Sequence, residues 1–288
     1  MNRLIVITGP TGVGKTDYAI SMAQQLGCEI INADSRQIYR DIPIGTAAPT
    51  PEQCAAVPHH LVAFKDLHET YNASQFEADV LQLLPQLWQR CDTAIMCGGS
   101  MMYIDAVCHG IDLLPDITEQ VRNDVLNKYH TEGLDSLLDE LSRLDPDYYA
   151  QVDRKNPRRV LHAVEICRQA GVPYSSLRHG QPKQRPFHID KIALNMDRAA
   201  LFDRINRRVD KMMACGLLDE ARAVYPLRHL NALNTVGYKE LFAYFDGKMD
   251  LHTATERIKK NTRVYAKKQL TWLARDKNID WKILPADE

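Results

Sequence analysis

The segment Gly9-Pro10-Thr11-Gly12-Val13-Gly14-Lys15-Thr16 carries the clearest chemistry in the chain. Its spacing is that of a phosphate-binding loop. The glycines let successive backbone N–H groups turn toward one point, where they hold phosphate oxygens. Lys15 adds a point charge, and Thr16 offers a hydroxyl to Mg²⁺. The pattern implies a polyphosphate without saying which one. Two further sites have residue types suited to work beside it. Asp34 closes a short apolar run, Cys28-Glu29-Ile30-Ile31-Asn32. A carboxylate there can take a proton from a nucleophile, hold a Mg²⁺-bound water, or cap the next helix. Gly98-Gly99-Ser100 closes another apolar run, at a place where phosphate-loop proteins usually carry an aspartate. It is either a second tight turn presenting a hydroxyl to a phosphate or leaving-group oxygen, or a plain chain reversal.

These residues need a frame. Residues 3–7 are a continuous apolar run with β-branched members, as expected of a buried parallel strand, and 15–26 reads as the helix that follows the loop. Further strands are expected at 28–32, 93–97 and 191–196. Apolar strands alternating with helices predict an α/β fold: a doubly wound parallel sheet of the P-loop NTPase-like type, with its chemistry at the carboxyl ends of the strands. Between 116 and 185 no strand is expected; 118–130, 134–144 and 157–170 read as helices, with Asn156-Pro157 as a start signal. The stretch 178–186 reads as a polar loop. The expected division is a catalytic core in two parts, 1–115 and 186–288, with an all-helical insertion at 116–185.

The last long helix, expected over about 252–275, repeats basic residues along one arc, with Lys259, Lys260, Arg263 and Lys267 together. Ile258, Tyr265, Gln269, Trp272 and Leu273 occupy another, mostly apolar arc. Glutamates that would balance a solvated basic face are scarce, which favours contact with a phosphate backbone.

Charge along the chain agrees with a polyanionic partner. The net charge is only −1. Residues 1–150 hold 9 Lys and Arg against 21 Asp and Glu, whereas 151–288 hold 27 against 16. Such a split hints at a polyanion-binding face. The seven cysteines contain no C-x-x-C pair, which argues against a disulfide framework or a zinc site. No apolar run reaches membrane-spanning length. A cytoplasmic protein with no membrane partner is expected, and a monomer.

Several motifs occur together in one order: Gly9 to Thr16, Asp34-Ser35-Arg36-Gln37-Ile38-Tyr39, Gly45-Thr46-Ala47-Ala48-Pro49, Pro58-His59-His60-Leu61 and Gly98-Gly99-Ser100-Met101-Met102-Tyr103. Arg158-Arg159-Val160, Gly216-Leu217-Leu218-Asp219-Glu220, Thr235-Val236-Gly237-Tyr238-Lys239-Glu240 and Tyr265-Ala266-Lys267-Lys268-Gln269-Leu270-Thr271-Trp272 continue the series. Along nearly its whole length the chain resembles the bacterial tRNA dimethylallyltransferases (tRNA isopentenyltransferases, the IPP transferase family). The resemblance implies that the loop grips the diphosphate of dimethylallyl diphosphate. The five-carbon group would then pass to N6 of adenine 37, beside the tRNA anticodon. It assigns Asp34 as proton acceptor, and it sets Lys15, Mg²⁺ held by Thr16, the loop amides and an arginine on the departing pyrophosphate. Arg204 and Arg208, one turn apart in the helical run after 191–196, are the candidates for that arginine, each also suited to a surface role. It places the Ser100 hydroxyl at the bridging oxygen. Many members have Thr followed by Gly-Leu where this chain has Ser100-Met101-Met102. Asp34, Ser35, Arg36, Gln37, Ser100 and Arg122 would contact tRNA, with Lys259, Arg263 and Lys267 on its backbone and the helical insertion on the anticodon stem-loop. A small-molecule or nucleoside kinase explains the loop and Asp34 but neither the basic helix nor the Gly-Gly-Ser turn. A nucleotide-switched RNA-binding protein explains the helix alone.

Overall fold

Strand β1 (Arg3–Thr8) lies in the middle of a six-stranded sheet of order β3-β2-β4-β1-β5-β6, and every pair in it is parallel. The computed structural model describes residues 1–112 and 114–285. In β1 side chains alternate between the faces. Leu4 and Val6 join the core formed with α4 (Ala73–Leu87) and α5 (Met101–His109); Ile5 and Ile7 join the one formed with α1 (Lys15–Leu26) and α10 (Arg198–Ala214). Helices therefore cover both faces, which is the condition a parallel sheet requires.

The other strands are β2 (Ile30–Asn32), β3 (His59–His60), β4 (Thr93–Cys97), β5 (His188–Asn195) and β6 (Asp280–Ile283). Two departures from the sequence reading occur at strand starts. Cys28 is not in β2: its N–H bonds back to Ala23 O and closes α1, with Gly27 in the left-handed conformation. Strand β5 starts at His188 rather than 191, because His188 pairs with Arg3 and Asp190 with Ile5 across a solvated strand end. Strands β3 and β6 carry no apolar signal, being a two-residue strand and a largely exposed edge.

The chain forms two compact units, 1–109 with 184–288, and 110–183; the sequence reading had set the boundaries at 115/116 and 185/186. In the first unit a third core surrounds Ile38, Ile42, Tyr238 and Leu241. It is built from α2 (Pro43–Thr46), the end of α10, α11 (Leu217–Val224), α12 (Tyr238–Phe245) and α13 (Leu251–Leu273), while α3 (Pro51–Ala56) contributes no residue to it. Asp250 caps α13, accepting from Thr253 N at 2.7 Å. The second unit is helical in its described residues: α6 (Glu119–Leu144), α7 (Pro146–Gln151), α8 (Pro157–Ala170) and α9 (Tyr174–Leu177). Gly133, at φ 84° and ψ −178°, breaks α6 into two arms near the expected 118–130 and 134–144. Asp145 is fully buried and ties three segments together, accepting from Tyr148 N, Ser175 N and Ser175 Oγ at 2.9, 2.6 and 2.7 Å. Glu140 holds Arg168 and Lys128, and the Arg168 hydrogen bonds take its carboxyl down to about 2. Among the described residues no helix is long and apolar enough to cross a membrane.

Sheet order decides which loops meet. Strands β2, β4, β1 and β5 are consecutive neighbours, so the segments after them emerge side by side at one sheet edge. The chain passes most tightly at Gly98. Its N–H bonds to Ile7 O at 3.1 Å, and an added Cβ would lie 2.2 Å from the Ala33 carbonyl oxygen. Neither backbone can yield without breaking the Ala33 N to Cys97 O bond (2.8 Å) or the Ser100 N to Ala33 O bond (3.1 Å). Gly98→Ala should therefore destabilise by about 1–3 kcal/mol, the usual cost of overpacking. A thermal scan should show Tm lower by several degrees; an unchanged Tm would mean that the two strand ends separate freely.

Candidate active site

The phosphate loop leaves β1 and runs into α1. Gly9, Gly12 and Gly14 have φ of 143°, 86° and 96°, conformations that side-chain-bearing residues rarely adopt. Lys15 folds back over the loop and donates from Nζ to Gly9 O (3.1 Å) and Pro10 O (2.9 Å). Helix α10 backs the loop with Leu201, Ile205 and Val209 buried beneath it. That register turns Arg204 and Arg208 toward the loop. Arg208 Nη1 donates to Thr11 Oγ1 at 3.3 Å, and the Arg204 guanidinium lies 3.3 Å from where a Gly14 Cβ would be. Burial is the main cause lowering the Lys15 pKa to about 8; the Arg208 charge lowers it further, and Asp34 opposes the shift. Burial also lowers Arg208, again against the pull of Asp34.

Asp34 thus shares one electrostatic site with Lys15 and Arg208. Its Oδ1 accepts from Arg36 N at 2.9 Å, a local turn that fixes the carboxylate at the end of β2. Ser100, after β4, reaches the same turn: its Oγ accepts from Ser35 N (2.8 Å) and donates to Ser35 Oγ (3.1 Å). The loop, Asp34 and Ser100, predicted separately, are brought together. The arrangement sets a carboxylate able to take a proton against a cluster of half-buried cations and loop amides able to hold an anion.

Other predicted residues are placed less simply. Gln37 donates from Nε2 to Thr46 O (3.0 Å) and Ala47 O (2.9 Å), so its amide nitrogen is engaged with its own protein. Arg36 Nη1 donates to Asn231 O and Ala232 O. On α13, Lys259 pairs with Asp210 of α10 at 2.7 Å and with Glu256 at 2.9 Å, while Arg263 donates to Asn206 of α10. The expected ladder therefore turns partly against α10, which adds a second carboxylate to the one that Glu256 offers within α13. Lys267 is exposed, its Nζ 5.5 Å from the Phe202 ring, and the solvent-facing basic residues of α13 are Arg257, Lys260, Lys267 and Lys268. Arg122 belongs to the second unit, where its charge lowers the His162 pKa, although burial is the larger cause.

Two contributors were missed. Gln269, assigned to the apolar arc, is buried and bonded to both the phosphate loop and the Gly98–Ser100 turn. Glu220 accepts from Ile44 N and Gly45 N, each at 2.8 Å, and from Tyr238 Oη at 2.5 Å. It therefore fixes the segment whose carbonyls hold Gln37. Both lie in motifs that carry the family resemblance, and each is an amide or carboxylate inside an otherwise apolar helical stripe, but neither signal gave it a role.

Comparison with known proteins places this site in context. The sequence model of the IPP transferase family matches residues 37–276. The chain belongs to the IPP transferase family. It is 56% identical over 281 residues to tRNA dimethylallyltransferase 2 of Parabacteroides distasonis, covering 98% of this chain and 94% of that protein. Tested against tRNA dimethylallyltransferase 1 of Phocaeicola vulgatus, it is 57% identical over 280 residues, covering 97% and 93%. Among solved structures, the full-length tRNA isopentenylpyrophosphate transferase of Bacillus halodurans aligns with TM-score 0.73 at 36% identity, covering 100% of this chain and 92% of that one. A eukaryotic dimethylallyltransferase acting on tRNA aligns with TM-score 0.83 at 28% identity, covering 100% and 75%. Membership in the IPP transferase family makes the chain a transferase, with the P-loop NTPase-like α/β fold seen here.

The Lys15 pKa makes a prediction for this site. Below about pH 8 the free protein carries the charge; above it, anion binding must first take up a proton. The affinity of wild type for pyrophosphate, relative to a Lys15→Arg variant that stays cationic, should be level below pH 8. Above it the ratio should fall toward tenfold per pH unit. Calorimetry across that range checks it, and a ratio level to pH 9.5 (roughly 1.5 units beyond the midpoint) would deny Lys15 the lowered pKa.

Proposed function

We propose that the chain transfers the dimethylallyl group of dimethylallyl diphosphate to N6 of adenine 37 in tRNA, giving N6-(dimethylallyl)adenosine and pyrophosphate. The observation that carries this reading is the site that Asp34 shares with Lys15 and Arg208, where β2 and β1 end on either side of β4. It pairs a proton acceptor with a diphosphate cradle. The adenine leaves its stack to reach the carboxylate, as enzymes acting on bases require. A bond forms between N6 and the prenyl carbon while the carbon–oxygen bond to the diphosphate breaks. The N6 proton passes to Asp34, and the electron pair of the broken bond leaves on pyrophosphate. Lys15, Arg204, Arg208 and the loop amides from Gly12 to Thr16 hold the growing charge. Ser100 can reach the bridging oxygen by turning its hydroxyl proton away from Ser35.

Mg²⁺ fits the donor set. Thr16 and Asp34 offer hard oxygens, and this ion is ordinarily held by one or two protein groups together with substrate phosphates and water. When bound it would neutralise charge on the departing pyrophosphate. In the second unit, Arg122 and the helices around it would contact the anticodon stem-loop, and Asp34–Gln37 would lie at the target base. Reading an adenine edge through Gln37 requires its amide to leave the Thr46 and Ala47 carbonyls. The chain would act in the cytoplasm, as a monomer.

Mixing the protein with unmodified tRNA and dimethylallyl diphosphate should add a five-carbon group to adenine, detected by mass. Asp34→Asn keeps the local turn but removes the base, so tRNA binding should hold while turnover falls on the order of 10² or more. An Asn variant turning over at the wild-type rate would end the assignment of Asp34. The exposed face of α13 makes a separate prediction. Lys260, Lys267 and Lys268 changed together to Ala should weaken tRNA binding and reduce its salt slope by about one per lost phosphate contact. Lys259→Ala, which breaks an internal ion pair, should leave the slope as it was. Equal slopes for wild type and the triple variant would exclude this face.

A further inference from the structure

Gln269 lies on α13 with 2% of its surface exposed, and both ends of its amide are used. Its Oε1 accepts from Thr11 N at 2.8 Å, and its Nε2 donates to Gly99 O at 3.0 Å. These partners sit in two separate loops, the phosphate loop after β1 and the glycine turn after β4, whose strands pair in register at Ile7 and Cys97. The link continues on one side, since Thr11 Oγ1 accepts from Arg208. On the other, Gly99 leads directly into Ser100, whose hydroxyl holds Ser35. The fit is close: a Cβ on Gly99 would lie 2.5 Å from Gln269 Nε2 and 3.8 Å from Lys15 Nζ.

From this juxtaposition we propose that Gln269 is a positioning residue, fixing the distance between the loop that grips the leaving diphosphate and the turn that presents Ser100 beside Asp34. An amide accepts from an N–H and donates to a carbonyl from one side chain, and it does so at any ordinary pH. Both partners are backbone groups, so losing the clamp frees the loops themselves and not just a side chain. Gln269 also draws the Thr11 N–H away from the nest, leaving the phosphate to the amides downstream of it. A shift of about 1 Å between cradle and acceptor is enough to cost on the order of 10² in rate.

The proposal rests on the prenyl-transfer reading for its rate arm and on the phosphate loop alone for its binding arm. Gln269→Met keeps length and fills the space without either hydrogen bond. Gln269→Glu keeps an acceptor for Thr11 N but sets a carboxylate oxygen against Gly99 O. Its protonated form can donate there again. Pyrophosphate affinity, by calorimetry, and kcat for transfer to tRNA would be measured well below each variant's Tm. We expect Gln269→Met to lose about tenfold or more in one or both, with tRNA affinity kept. The activity of Gln269→Glu relative to wild type should rise as pH is lowered, and that of Gln269→Met should not. A residue that only packs would lower Tm and show no such pH-dependent rescue. Wild-type pyrophosphate affinity and kcat in Gln269→Met would overturn the proposal. If wild type bound pyrophosphate but transferred nothing to tRNA, the prenyl-transfer reading would fail, and the pyrophosphate arm would still judge Gln269.

Discussion

A cradle of backbone N–H groups has no stiffness of its own. What fixes this one is the parallel pairing of β1 with β4 and β5, because each of the surrounding segments begins where one of those strands stops. The loop leaves β1 at Gly9, where an added Cβ would lie 2.5 Å from the Leu194 carbonyl oxygen of β5. The Gly98 turn leaves β4 with equally little room against Ala33 of β2. At both places two backbones approach more closely than any side chain permits, so the glycines hold the strand ends at a set spacing. The catalytic groups inherit that spacing. Asp34, Ser100 and Lys15 each lie within one or two residues of such a contact or of a glycine in the loop.

Burial then gives these groups their electrostatic character. Removal from water lowers the pKa of both Lys15 and Arg208, which shows that neither cation is fully compensated within the protein. Asp34 provides part of the missing negative charge, and in the proposed reaction it would also serve as the base. An incoming diphosphate would supply the rest. The same low-dielectric surroundings that depress the Lys15 pKa strengthen its attraction for that anion. The attraction increases further as the bond to carbon breaks and charge moves onto the leaving group. In the proposed reaction the site would therefore favour the departing pyrophosphate over the intact ester, which is the requirement for acceleration.

What the sequence made legible follows from which signals are local. The phosphate loop, its strand and its helix are adjacent in sequence, and so are Asn156 and the helix it caps. Asp34, Ser100, Arg204 and Arg208 were legible because the order of strands and helices fixed their neighbourhood and the resemblance chose among their roles. Gln269 was not. Helical periodicity places it beside Ile258 and Leu273, and nothing local reveals that its amide meets loops 170 and 258 residues away in sequence. Lys259 misled for a related reason. Besides Glu256 on its own helix it pairs with Asp210 of α10, and counting charges within α13 cannot find that second acid. Strands β3 and β6 were missed because edge pairing by the backbone leaves little mark on side-chain type.

The uneven charge of the two halves acquires a different meaning from the fold. It does not follow the division into units, since residues 110–183 hold 10 Lys and Arg against 12 Asp and Glu, close to balance. Within the core, however, the first arm, 1–109, has 6 basic against 11 acidic residues, and the second, 184–288, has 20 against 14. The acidic arm holds Asp34, the proposed base, and the loop backbone; the basic arm holds Arg204, Arg208 and the exposed face of α13. Interleaving of the strands brings the arms together, with β1 hydrogen-bonded to β4 of its own arm and β5 of the other. Proton acceptor and anion-holding cations therefore come from opposite ends of the sequence, and one sheet edge makes them a single site.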